Sequence, residues 1–264
     1  MSPALPGSSL GRIVRGTGPG LLLAHGAGGG IDANYGPVLD VLAAHRTVVG
    51  PDYPGTGRTP RADAPLTLDG LADELVATAV EEGVETFAVA GYSLGAAVAV
   101  RAATRHPGRV TALVLTAGFA HPSPRFLLAA RMWRDLLDAD DPKALAGFLA
   151  LVAFSAPALD ALGQDALDAA LETSAATVPP GTPDHVDLLL GGIDVRDDLA
   201  AITVPTLVVS TTLDQLVTPY HHRQLSDGIP GAERAEIASG HLPFVERPEE
   251  WGALISDFLR DNDA

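Results

Sequence analysis

No cysteine occurs among the 264 residues. A disulfide framework, a thiolate metal site and a cysteine nucleophile are therefore excluded together. Lysine is almost as scarce: Lys143 is the single one among 17 basic side chains, set against 33 acidic ones. The formal net charge is −16. Such a surface repels phosphate backbones, so nucleic acid is not an expected partner. Long apolar runs are missing too. None approaches the roughly 20 residues that span a bilayer, so no membrane partner is expected. Residues 1–11 have neither the basic start nor the apolar stretch of a secretory leader. The expectation is an unexported, cytoplasmic chain. No H-E-x-x-H or comparable ligand cluster appears, and the adjacent His221 and His222 do not share a helical face. Neither a metal nor another cofactor is expected. Oligomeric state is left open.

What is present is apolar. Residues of that kind make up 47% of the chain, enough for one large domain or a core with a lid. The preference for Arg over Lys, with abundant Ala, Gly and Pro, reads as GC-rich bacterial coding.

Short apolar runs rich in Val, Leu and Ile lie at 20–24, 46–50, 86–90, 111–116, 206–210 and 234–238. They are near-continuous, as strands covered on both faces of a parallel sheet are. Residues 9–15 are more mixed and suit an antiparallel edge. Helical spacing occupies 37–44, 68–82, 94–106 and 249–259. Alternation of the two predicts an α/β fold, a mostly parallel sheet flanked by helices. It stops between 119 and 199, where helical patterns at 125–137, 142–153, 158–173 and 183–190 are punctuated by prolines. That stretch reads as a helical cap inserted into a core formed by 1–118 and 200–264.

Gly91-Tyr92-Ser93-Leu94-Gly95 matches G-x-S-x-G, after a strand pattern and before a helix pattern. That context gives the motif chemical meaning. A sharp strand-to-helix turn lifts a serine hydroxyl off the sheet edge and sets it at a helix N-terminus. There the partial positive charge favours an oxyanion. The bland alternative is an ordinary turn of small residues. A serine needs a base within hydrogen-bond reach. His241 is the candidate, because Ser239-Gly240-His241 leaves a late strand where open α/β sheets bind ligands. The other histidines fall at helix ends or, like His185, on a cap helix. Asp214, 27 residues before His241, follows the preceding strand and is the candidate acid. The same position also suits a helix N-cap. For the oxyanion, the N–H of Leu94 and a donor from the glycine-rich His25-Gly26-Ala27-Gly28-Gly29-Gly30 loop are expected, Ala27 first and Gly28 next.

Together these segments resemble the α/β-hydrolase superfamily over essentially the whole chain. The likeness includes His25-Gly26, the stretch Asp52-Tyr53-Pro54-Gly55-Thr56-Gly57-Arg58-Thr59, and the order serine, acid, histidine. It is nearest to small capped esterases, lactonases and carbon–carbon hydrolases. The resemblance implies about eight strands, a lid after the sixth and an architectural Asp52. Relatives with an aspartate nucleophile are excluded by Ser93.

The expected function is cleavage of an ester, lactone or thioester of a small, largely apolar molecule through Ser93, His241 and Asp214. The competing readings are a cofactor-independent lyase, cyclase or carbon–carbon hydrolase on the same triad, and, ranked last, a non-enzymatic receptor. Gly26, Gly28, Tyr92, Arg58, Phe119, Trp133 and Leu242 complete the expected substrate-binding set. Arg58 is the cation nearest the expected pocket, and Phe119 and Trp133 are apolar residues of the cap.

Overall fold

The structure is a computed structural model that describes residues 8–262. Residues 1–7, which hold most of the stretch read for a leader, and the last two of the core segment 200–264 lie outside the described residues. In chain order the elements are β1 (Arg12–Arg15), β2 (Gly20–Ala24), α1 (Ile31–Tyr35), α2 (Leu39–Ala43), β3 (Thr47–Pro51), α3 (Leu68–Glu81), β4 (Phe87–Tyr92), α4 (Leu94–Arg105) and β5 (Val110–Thr116). Then come six helices: α5 (Pro124–Asp138), α6 (Pro142–Ala153), α7 (Ala156–Asp160), α8 (Gln164–Ala176), α9 (Thr182–Leu190) and α10 (Arg196–Leu199). The chain ends with β6 (Thr206–Thr211), α11 (Pro219–Gly228), β7 (Glu233–Ile237), α12 (Pro243–Glu246) and α13 (Pro248–Asp261). No helix among the described residues is long and apolar enough to cross a membrane.

The strands form one sheet in the order β1-β3-β2-β4-β5-β6-β7. All pairs are parallel except β1 with β3. Within the continuous run of β2, side chains still alternate by the pleat. Leu21 and Leu23 pack with α1, α2 and α13, while Leu22 and Ala24 pack with α3 and α4. Burial on both faces is why the runs of β2, β4 and β6 lack a polar stripe, whereas β7, at the sheet edge, is mostly exposed and carries Glu233, Arg234 and Glu236. The chain leaves β2 for β3 on one side and returns to β4 on the other. The crevice at the carboxyl ends of β2 and β4 is thus a topological switch point, where such sheets bind ligands.

Seven strands are found among the described residues, in keeping with the eight or so implied by the resemblance, and the long helical segment follows the fifth of them, not the sixth. The residues before β1 are used differently. Gly11 is tied to the loop after β3, its N–H donating to Thr59 Oγ1 at 2.9 Å and its carbonyl accepting from Asp52 N at 2.8 Å. The expected helix at 158–173 is two helices. Ser155 caps α7, and extended Gly163 separates α7 from α8.

Candidate active site

Three loops leave the carboxyl ends of β4, β6 and β7 at one edge of the sheet, because those strands run parallel. The first turns so sharply that Ser93 sits at φ 54°, ψ −117°, a conformation that costs a non-glycine residue about 1–3 kcal/mol. The flanking glycines make the turn physically possible. A β-carbon on Gly91 would lie 2.4 Å from the carbonyl oxygen of Gly95, and one on Gly95 would lie 2.0 Å from that of Ala24. The Ser93 N–H donates to Thr116 O at 3.0 Å, which anchors the turn to β5.

Ser93 Oγ lies 2.9 Å from His241 Nε2, and His241 Nδ1 lies 2.7 Å from Asp214 Oδ2. All three residues are buried. Asp214 is itself held. Its Oδ1 accepts from the N–H groups of Leu216 and Val217 at 2.8 and 2.9 Å, and Oδ2 accepts from Thr211 Oγ1 at 3.0 Å. Asp214 thus closes a local turn onto the N–H groups of Leu216 and Val217 and does not cap a helix, since the residue before α11 is Thr218. The His241 loop is fixed by Tyr92, whose hydroxyl donates to His241 O at 2.9 Å, and by Ala153 O of α6, which accepts from His241 N at 2.6 Å.

The glycine-rich loop faces Ser93 from the end of β2. Neither Ala27 N–H nor Leu94 N–H has a hydrogen-bond partner among the described residues. His25 is fully buried beneath the loop. Its Nδ1–H donates to Gly26 O at 2.8 Å, and its Nε2 accepts from Tyr53 N at 2.9 Å. Burial, then the neighbouring His185, pushes its pKa down to about 3, so the ring is neutral.

These groups line a cavity of about 480 Å³. Gly26, Ala27, Gly28, Tyr92, Ser93, Trp133, His241 and Leu242 are on its wall. Leu94 and Asp214 lie just behind it. The remaining apolar wall comes from Phe126 of α5, Leu149 and Ala150 of α6, Phe154 and Phe244, and Asp32, Asn34, Asp52, Ser174 and Thr177 are polar residues of the lining. No Arg or Lys is among these lining residues. A larger cleft of about 710 Å³ lies between residues 61–68 and α9, but it contains none of the three loops.

Two expected binding residues stand elsewhere. Arg58 is not on the cavity wall, although the two carboxylates that hold it are. Its guanidinium pairs with Asp52 at 3.0 Å and Asp32 at 2.7 Å, and those two carboxylates consume its charge. Phe119 is wholly buried in the core, where it packs edge-on against Phe126 with ring centres 4.9 Å apart. Phe126, one layer further out, takes the wall position instead. Asp52 is architectural in its contacts, accepting from the N–H groups of Ile31 and Arg58. The sequence reading missed Asn34, which accepts from Gly26 N at 3.0 Å, and His185, which it left as a cap-helix residue.

The family with the alpha/beta hydrolase fold matches residues 19–248. A pyrrolizixenacetamide deacetylase of Xenorhabdus hominickii is 33% identical over 252 residues, covering 95% of this chain and 94% of that protein. A pimeloyl-[acyl-carrier protein] methyl ester esterase of Aeromonas hydrophila is 30% identical, covering 92% of this chain and 96% of its own. Among solved structures, MGS-M2, an α/β-hydrolase enzyme from a Medee basin deep-sea metagenome library, superposes with a TM-score of 0.86. It is 17% identical and covers 95% of this chain and 94% of its own. On the strength of the family match and these relatives, the chain belongs to the α/β-hydrolase fold family and is one of its enzymes.

Proposed function

We propose that this enzyme hydrolyses an ester, lactone or thioester of a small, uncharged, largely apolar molecule by way of an acyl-enzyme on Ser93. The observation that carries the proposal is the unbroken chain of contacts from Ser93 Oγ to His241 Nε2 at 2.9 Å and from His241 Nδ1 to Asp214 at 2.7 Å. His241 takes the serine proton as Oγ attacks the acyl carbonyl. Asp214 keeps the proton-bearing nitrogen facing itself and stabilises the imidazolium. The oxyanion is received by the N–H groups of Ala27 and Leu94, at the N-terminus of α4. His241 then gives its proton to the leaving group. It next accepts a proton from water, whose oxygen attacks the acyl carbon. Collapse releases the acid, and the proton returns to Ser93.

The substrate class follows from the wall. An apolar cavity without Arg or Lys offers no counter-ion to a carboxylate, and the net charge of −16 adds long-range repulsion. That favours a free neutral molecule over an acidic one. Residues 119–199 act as a cap on the core, since α5, α6 and α8 supply one side of the cavity. The relatives are named for removing an acetyl group and for cleaving a methyl ester, so amides join the classes to be assayed.

The test is a panel of short neutral esters, lactones, acyl-thioesters and acetamides, with a fluorophosphonate probe for the nucleophile. Ser93→Ala and His241→Ala are each expected to lose about 10⁴–10⁶ in kcat, with the double variant little worse, because the residues act as a unit. Asp214→Asn should lose about 10²–10⁴. Retention of most activity by Ser93→Ala would end the proposal. Product analysis in ¹⁸O water separates hydrolysis from a lyase or cyclase reaction on the same residues.

A further inference from the structure

The helical segment touches the oxyanion loop directly. His185 of α9 is fully buried against it. Its Nδ1 accepts the Gly28 N–H at 3.1 Å, and its Nε2–H donates to Pro54 O at 3.0 Å. One partner per ring nitrogen defines the neutral tautomer. Two further residues of the same segment crowd Gly28, which sits at φ +65°. A β-carbon there would lie 3.0 Å from Thr182 Cγ2 and 3.1 Å from Trp133 Cζ2.

The geometry of the peptide planes gives this contact its meaning. The Ala27 N–H belongs to the same plane as Gly26 C=O, and that carbonyl is held by His25 Nδ1–H at 2.8 Å. The next plane carries Ala27 C=O and Gly28 N–H, and it is held by His185. Peptide planes are stiff, so the only soft torsions between the two anchors are φ and ψ of Ala27. Two neutral histidines, one from the core and one from the helical segment, thus clamp Ala27, which lines the cavity.

We propose that His185 is a positioning residue for the oxyanion donor: by holding the Ala27–Gly28 peptide it fixes φ and ψ of Ala27 and, together with His25, keeps the Ala27 N–H on aim while the helical segment is seated on the core. The inference rests on the acyl-enzyme reading above, with Ala27 as donor. Its consequence is that the segment completes the catalytic geometry as well as roofing the cavity. A misaimed donor weakens transition-state stabilisation and leaves ground-state binding alone, so kcat should fall while KM stays.

Three substitutions separate the two hydrogen bonds from simple filling of space. Asn places its carbonyl oxygen near the Nδ1 position and can still accept from Gly28. Gln places its amide near Nε2 and can still donate to Pro54. Leu keeps bulk and neither bond. With a neutral 4-nitrophenyl ester turned over by the wild type, His185→Asn is expected to stay within about threefold in kcat. His185→Gln and His185→Leu should lose about ten- to a hundredfold, with KM within about twofold. Inhibition by an alkyl trifluoromethyl ketone, whose hemiketal carries an oxyanion, should weaken in the same order. Full kcat in His185→Leu overturns this inference alone. Equal loss in all three variants, with lowered melting temperatures, also overturns it, because the residue is then only structural. A wild type inert to every ester and to a fluorophosphonate brings down the acyl-enzyme reading, and this inference with it.

Discussion

Glu246 and Ser155 join the His241 loop to the helical segment. Glu246 Oε2 accepts from Ser155 Oγ at 2.6 Å, while Oε1 accepts the N–H groups of Ser155 and Gly240 at 2.9 and 3.1 Å. Gly240 directly precedes His241. It packs so closely that a β-carbon would lie 2.4 Å from Ala153 O. Removing the carboxylate leaves three donors with no acceptor in a partly or fully buried place, each costing about 1–3 kcal/mol. Glu246→Ala is therefore expected to destabilise by about 3 kcal/mol, which lowers Tm by about 6–12 °C in a domain of this size. Its kcat should fall as well, since Gly240 and His241 lose their support. Calorimetry and ester kinetics check both; an unchanged Tm would remove Glu246 from this role.

The cation-free cavity wall makes a second prediction about charge. A pair of 4-nitrophenyl esters of equal length, hexanoate and hydrogen adipate, differ by one terminal carboxylate. Desolvating that carboxylate without a partner costs several kcal/mol. The anionic ester is expected to show a kcat/KM about 10²- to 10³-fold lower. Added salt should recover only a small part of the gap, because screening acts on the distant surface charges and not on the buried wall. Equal rates for the two esters would falsify the assignment of a neutral substrate.

The residues that were legible in the sequence are those whose signals are local. The run 20–24 reads as a strand because both its faces are buried, and Ser93 stands out because only small residues fit either side of its turn. Contacts made across the fold left no such trace. Gly28 and His185 are 157 positions apart, and nothing near His185 distinguishes it from any buried helical histidine. Arg58 was read toward the pocket because Asp32 and Asp52, 26 and six positions away, were not known to converge on it. Phe119 failed for a related reason. It follows β5 closely, but whether that turn directs a ring inward or upward depends on Phe126, seated above it by α5. The break between α7 and α8 escaped notice because Gly163 alone signals it, and an isolated glycine is a weak breaker.

Buried neutral histidines also set how stability responds to acid. Burial pushes His25 down to about 3 and His222 down to about 4, from an ordinary value of 6.5, and it lowers His185 and His221 as well. In the unfolded chain these rings take up protons below about pH 6.5, while in the native protein burial favours their neutral forms. The unfolded state therefore binds more protons, and stability rises with pH. The stabilisation is complete above pH 6.5 and is lost as pH falls toward 4 and 3. Between about pH 5.5 and 4.5, His25 and His222 should each remove about 1.4 kcal/mol per pH unit. Asp194, held to about 2 chiefly by Arg196, acts in the same direction but only below about pH 4. It does not account for loss at higher pH. Melting temperatures are thus expected to be level from pH 8 to 7 and to fall steeply from 6 to 4.5. The double variant His222→Leu with Ser210→Ala removes one titrating ring and the hydroxyl 3.1 Å from its Nδ1. Its stability should decline less steeply by about 1.4 kcal/mol per pH unit, whatever its absolute Tm. A wild-type Tm that stays level down to pH 4.5 would mean that these rings are charged in the native state.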